Sequence, residues 1–115
     1  MKVRFWVVSA KGPSLRESLN NDLDKDRDRR EEKMKYPVRL QREHKIDRSP
    51  GWSWVHSRKG GKGAIKYRWN PHLQILECWA VTKMGNRPSQ LIGEFVESVL
   101  ASQSRRIKSV HIEVN

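Results

Sequence analysis

The chain has 115 residues, with 24 Lys and Arg against 13 Asp and Glu and a formal net charge of +11. A chain of this length buries roughly two-thirds of its unfolded surface, enough for one modest core, so a single domain over residues 1–115 is expected. No stretch approaches the ~20 apolar residues of a membrane-spanning helix, and the run from Phe5 to Val8 is too short for a signal-peptide core.

Lys2 to Ala10 reads as a strand. Val3, Phe5 and Val7 alternate with Arg4, Trp6 and Val8, and both sets are largely apolar, as in a strand covered on both faces. Gly12-Pro13-Ser14 ends it. Ser14, with Glu17 three residues on, has the spacing of a helix N-cap. Leu15, Leu19 and Leu23 then make a narrow apolar stripe, sufficient to dock one helix face on a sheet.

From Asp24 to Lys35 the chain is almost wholly charged. Asp26–Arg30 and Glu31–Lys35 attract at i,i+4, whereas Asp24–Asp28 and Asp28–Glu32 repel at the same spacing. We read residues 24–35 as a frayed helical extension, with a mobile charged loop as the alternative. The charge excess lies elsewhere. Residues 11–48 carry twelve cations against nine acids, and residues 49–115 carry ten against four.

Tyr36-Pro37 breaks any helix. Val38 to Ile46 alternates weakly and carries charge, as in an edge strand or extended connection. Asp47 to Gly51 is a turn. Gly51 to Thr82 is the most distinctive stretch, with four of the five tryptophans: Trp52, Trp54, Trp69 and Trp79. It reads as three strands. Trp52, Trp54 and His56 share one face of the first, and Ser53, Val55 and Ser57 the other. Gly60, Gly61 and Gly63 supply the conformational freedom of a hairpin turn. In the return strand Ile65, Tyr67 and Trp69 oppose Ala64, Lys66 and Arg68. An Asn70-Pro71 turn leads to Leu73–Thr82, apolar on both faces apart from Gln74, Glu77 and Thr82.

Gly85 to Pro88 ends the sheet segment, and Pro88 suits a first helical turn. Leu91, Ile92, Phe95, Val96, Val99 and Leu100 form one broad apolar stripe, so a helix runs to about Ser104. Lys108 to Asn115 is a half-exposed strand, with Val110, Ile112 and Val114 on one face.

This order predicts an α+β fold: a mainly antiparallel sheet with two helices packed on one face. The arrangement expected is ferredoxin-like, terminal strands side by side in the centre, with one extra strand or hairpin.

The functional reading rests on Arg58, Lys59, Lys62, Lys66 and Arg68, five cations with no acid among them. Around a glycine-rich turn they suit phosphates, which backbone N–H groups approach closely and cations neutralise. The spacing is not that of a P-loop. A nucleic-acid or other polyanion-binding module is the function expected. Nearby aromatic rings stack bases only if their face is open; Trp52 and Trp69 are expected in the core instead. Two alternatives stand: a protein-interaction or homodimerisation module, and a small ribonuclease built on a histidine, with His56 as base and Glu77 or Glu113 beside it. His44, His56, His72 and His111 show no zinc-ligand spacing, so neither metal nor cofactor is expected. The single Cys78 makes no internal disulfide and points to a reducing, cytoplasmic setting.

Overall fold

A computed structural model describes residues 2–41, 51–59, 62–83 and 87–113. Six strands form one antiparallel sheet in the order β2-β3-β4-β5-β1-β6. They are β1 (Lys2–Ser9), β2 (Val38–Leu40), β3 (Trp52–Ser57), β4 (Ala64–Asn70), β5 (Ile75–Val81) and β6 (Ile107–Ile112). Helices α1 (Leu15–Asp26) and α2 (Pro88–Gln103) connect β1 to the β2–β5 meander and β5 to β6. The terminal strands are neighbours, as expected, but β6 lies at a sheet edge and only β1 is internal.

Alternation decides which face each strand buries. Phe5, Val7, Val55, Ile65, Tyr67, Leu76, Cys78 and Ala80 form the covered face. They meet Leu15, Leu19 and Leu23 of α1 and Leu91, Ile92, Phe95 and Val99 of α2 in one core. Phe95 sits at its centre, 5.8 Å from the Phe5 ring and 5.2 Å from the Tyr67 ring. Burial of such side chains contributes about 1.5–3 kcal/mol each. The predicted α2 stripe is shifted: Leu100 is exposed, Val96 half-buried, and Glu94 and Ser98 are buried. Glu94 is kept inside by Ser57, whose Oγ donates to its carboxylate at 3.0 Å.

Ser14 caps α1, its Oγ accepting from the Glu17 backbone N–H at 3.3 Å. The helix ends at Asp26, short of the expected extension. A single 3-10 turn (Glu31–Lys33) follows, and the chain folds back towards β2. Asp26 holds this return: its carboxylate accepts from the backbone N–H of Lys35 at 2.9 Å and of Tyr36 at 3.1 Å. A buried acceptor thus ties down a segment whose composition reads as solvated. β2 ends at Leu40, Gln41 still donates its backbone N–H to the Trp54 carbonyl at 2.9 Å, and residues 42–46 of the expected strand, with residues 47–50, 60–61, 84–86 and 114–115, lie outside the described residues.

Candidate nucleic-acid interface

No helix lies on the second face of the sheet among the described residues. Strand register places its side chains in two rows. One runs Trp54, Lys66, Trp79 and Arg4 across β3, β4, β5 and β1. The next runs Trp52, Arg68, Glu77, Trp6 and His111 across β3, β4, β5, β1 and β6. Aromatic and cationic side chains therefore alternate across the sheet. Directly opposed residues in an antiparallel pair lie close enough for their side chains to interact.

The contacts follow. The Lys66 ammonium lies 4.9 Å from the Trp52 ring centre, 5.7 Å from Trp54 and 5.8 Å from Trp79. The Arg68 guanidinium lies 4.8 Å from Trp52 and 5.8 Å from Trp79. Arg4 lies 4.9 Å from Trp6 and 5.1 Å from Trp79. Trp52 and Trp79 touch at 5.0 Å between ring centres. All four rings are half-buried. Arg68 also pairs with the Glu77 carboxylate, which accepts a further bond from Asn70.

Trp52, expected in the core, thus sits on the helix-free face. Its strand neighbours Ser53 and Ser57 take the covered side. Their hydroxyls find partners there: Ser53 Oγ accepts from Asn20 Nδ2 at 2.8 Å and Arg16 Nη1 at 3.1 Å, and Tyr67 donates its hydroxyl to Asn20. Burial pushes the Tyr67 phenol far above its ordinary value. Trp69 does pack against the core, with Arg106 over its ring at 5.9 Å.

The five predicted cations do not share one surface. Lys66 and Arg68 lie on the helix-free face, and Lys59 and Lys62 are exposed on either side of residues 60–61. Arg58 turns the other way. Its side chain is 7% exposed, pairs with Asp26 at 3.6 Å, donates to the Asp26 carbonyl at 2.8 Å and touches the Met34 sulfur. Sequence reasoning missed Arg4 and Trp6, whose membership depends on β1 pairing with β5. The available signal was the alternation of Arg4 and Trp6 with Phe5 and Val7.

His44 lies outside the described residues. His72 and His111 are exposed on separate elements. Glu77 is engaged by Arg68, and Glu113 follows β6 at the sheet edge opposite β2, so neither carboxylate stands beside His56. No cluster of three metal-ligating side chains occurs among the described residues, and no helix there is long and apolar enough to cross a membrane. No protein-family model matches the chain, and comparison with curated proteins and with solved structures finds no match.

Proposed function

We propose that this protein binds single-stranded nucleic acid on the helix-free face of its sheet. The observation that carries the reading is the interleaving of Trp6, Trp52, Trp54 and Trp79 with Arg4, Lys66 and Arg68 in two adjacent cross-strand rows. Rings on an open sheet offer faces to unstacked bases, at about 1–3 kcal/mol per stacked base, and cations between them meet the phosphates. Lys59 and Lys62 extend the positive surface towards the β3–β4 turn. Arg58 is left out, because its charge serves Asp26. A duplex hides its base faces, so the single strand is the better ligand.

The fold itself we read as a ferredoxin-like arrangement enlarged by the β2–β3 hairpin. What supports this is the order β4-β5-β1-β6, in which β1 and β4 flank β5 while β5 and β6 flank β1, with α1 following β1 and α2 joining β5 to β6.

The test is anisotropy of labelled single- and double-stranded RNA and DNA at several salt concentrations, with Lys66→Ser and Trp54→Leu variants. Single strands are expected to bind at about 0.15 M salt, and both variants to weaken them. Neutralising three phosphates predicts a log–log salt slope of about −2. Equal affinity for duplex, or binding unaffected by either variant, refutes the reading.

A further inference from the structure

We infer that the basin where β2 and β3 meet the segment after α1 is a binding site for a phosphate dianion. The basin encloses about 590 Å³ and is lined by Arg27, Asp28, Arg29, Arg39, His56 and Arg58, with Met34 and Ser57 completing it. Four guanidinium groups and one imidazole from three separate segments converge there. Arg39 and His56 are directly opposed across the β2–β3 pair, and Arg58 continues β3. Asp26 pairs with Arg58 and lies 3.9 Å from Arg29, so with Asp28 it offsets part of the charge. Cations still outnumber carboxylates.

Two buried nitrogens here, His56 Nδ1 and Arg58 Nε, have no hydrogen-bond partner among the described residues. Buried polar nitrogens are costly when left without a hydrogen bond; Arg58 Nε–H donates, and His56 Nδ1 does so once it carries a proton, so a multidentate oxyanion satisfies both at once. The forked guanidinium suits phosphate better than a monovalent halide. Burial, then Arg39 and Arg58, hold the His56 imidazole below its ordinary range, as expected of a site short of negative charge.

The basin adjoins the tryptophan face, since His56 follows Trp54 by two residues on the same side of β3. The dianion therefore has two sources, free phosphate or the terminal phosphate of a bound strand. The site does not depend on the stacking face, and the experiment separates them. His56 ring resonances are followed by NMR while inorganic phosphate is titrated at constant ionic strength, with chloride as control, in wild type and in Arg39→Ser. Arg39 is chosen because Arg58 supports the fold.

The expected result is a saturable His56 shift with phosphate only, an upward movement of the His56 titration when phosphate is bound, and about tenfold or greater weakening in Arg39→Ser, the loss of one charge-assisted contact. The charges acting on His56 are Arg39 from β2 and Arg58 just after β3; Arg27, Asp28 and Arg29, from the segment after α1, line the same basin. A non-saturable shift, one matched by chloride, or one unchanged in Arg39→Ser overturns the site. Oligonucleotides with a 5′-phosphate or a 5′-hydroxyl then identify the source. Tighter binding of the phosphorylated strand, lost in Arg39→Ser, assigns the basin to a strand end; phosphate binding with no such preference assigns it to free phosphate. If strands bind and phosphate does not, the basin proposal fails and the stacking face stands; if phosphate binds and strands do not, the reverse holds.

Discussion

Replacing Asp26 with alanine should cost more stability than any other single truncation of a polar side chain among the described residues. The carboxylate is 2% exposed and faces an Arg58 side chain that is 7% exposed. It also accepts the Lys35 and Tyr36 backbone N–H groups. Arg58 in turn donates its backbone N–H to the Pro37 carbonyl at 2.9 Å. One side chain thus joins the end of α1, the return to β2 and the end of β3. Removing one partner of a buried ion pair costs about 3–5 kcal/mol, because the other charge is left without compensation. Two backbone donors lose their acceptor as well, though both lie near enough to the surface for water to replace it. We expect about 3–5 kcal/mol in total, a large part of the ~5–15 kcal/mol that stabilises a domain. Urea unfolding followed by circular dichroism measures it, with the m-value as a check on two-state behaviour. Arg58→Met should cost less, since Asp26 keeps both backbone donors. The double variant should be more stable than the two losses added together, because the stranded charge is gone. An Asp26→Ala loss under about 1 kcal/mol, or strict additivity in the cycle, would refute this account of the ion pair.

Tyr67→Phe removes the donor to Asn20 and should cost about 1–2 kcal/mol in the same assay, with no change in fold. Gly63 has φ +119°, and an added Cβ would lie 2.7 Å from the Val81 carbonyl oxygen; Gly63→Ala should destabilise by more than ~1 kcal/mol. Cys78 is fully buried and burial pushes its thiol well up, so Ellman's reagent should react only as fast as the protein opens, and an immediate reaction in the native state would contradict the packing. His56 sits below its ordinary value of 6.5. The unfolded chain therefore takes up the proton first as pH falls, and stability in place above 6.5 is lost as pH drops through the lower folded value. His56→Gln should lose less stability than wild type between about pH 7 and pH 5, and parallel losses would count against burial of the ring.

The positions of the two helices, though not the end of α1 or the full buried stripe of α2, and the two faces of β4 are legible from local pattern. Lys66 and Arg68 alternate with Ile65 and Tyr67, and two cations do not go beneath apolar helices. The sidedness of β3 is not legible in the same way. Trp52, Trp54 and His56 are more apolar than Ser53, Val55 and Ser57, so transfer free energy alone sends the rings inward. Register decides otherwise: Trp54 opposes Lys66 and Trp52 opposes Arg68, which puts the rings on the cation side. The serines are tolerated inside because Asn20, Arg16 and Glu94 reach them from the helices. Those partners are tens of residues away in sequence and leave no local mark. The same holds for Asp26, which looks like one acid in a charged run and is instead the buried anchor of the return to β2.

The two faces of the sheet answer to different physics. On the covered face the buried serine hydroxyls need protein partners, and Asn20, Arg16 and Glu94 of the helices supply them. On the open face the rings are too large to hide behind their neighbours, and the cations stand over them. A cation near an exposed ring gains about 0.5–1 kcal/mol, well below what removal of the ring from water would give. The arrangement therefore moderates the exposure of the tryptophans without abolishing it. Nor does it consume the charge, because an ammonium beside a ring still has donors directed elsewhere. Lys66, within 5.8 Å of three ring centres, is where this matters most. In the proposed complex a phosphate would take its remaining donors while a base lies on an adjacent ring, so the contact that steadies the free protein would persist. Arg68 differs, since its charge is shared with Glu77 and a phosphate must compete with that carboxylate. Lys66 and Arg4, rather than the glycine-rich turn, therefore carry the strongest electrostatic contribution of the proposed surface.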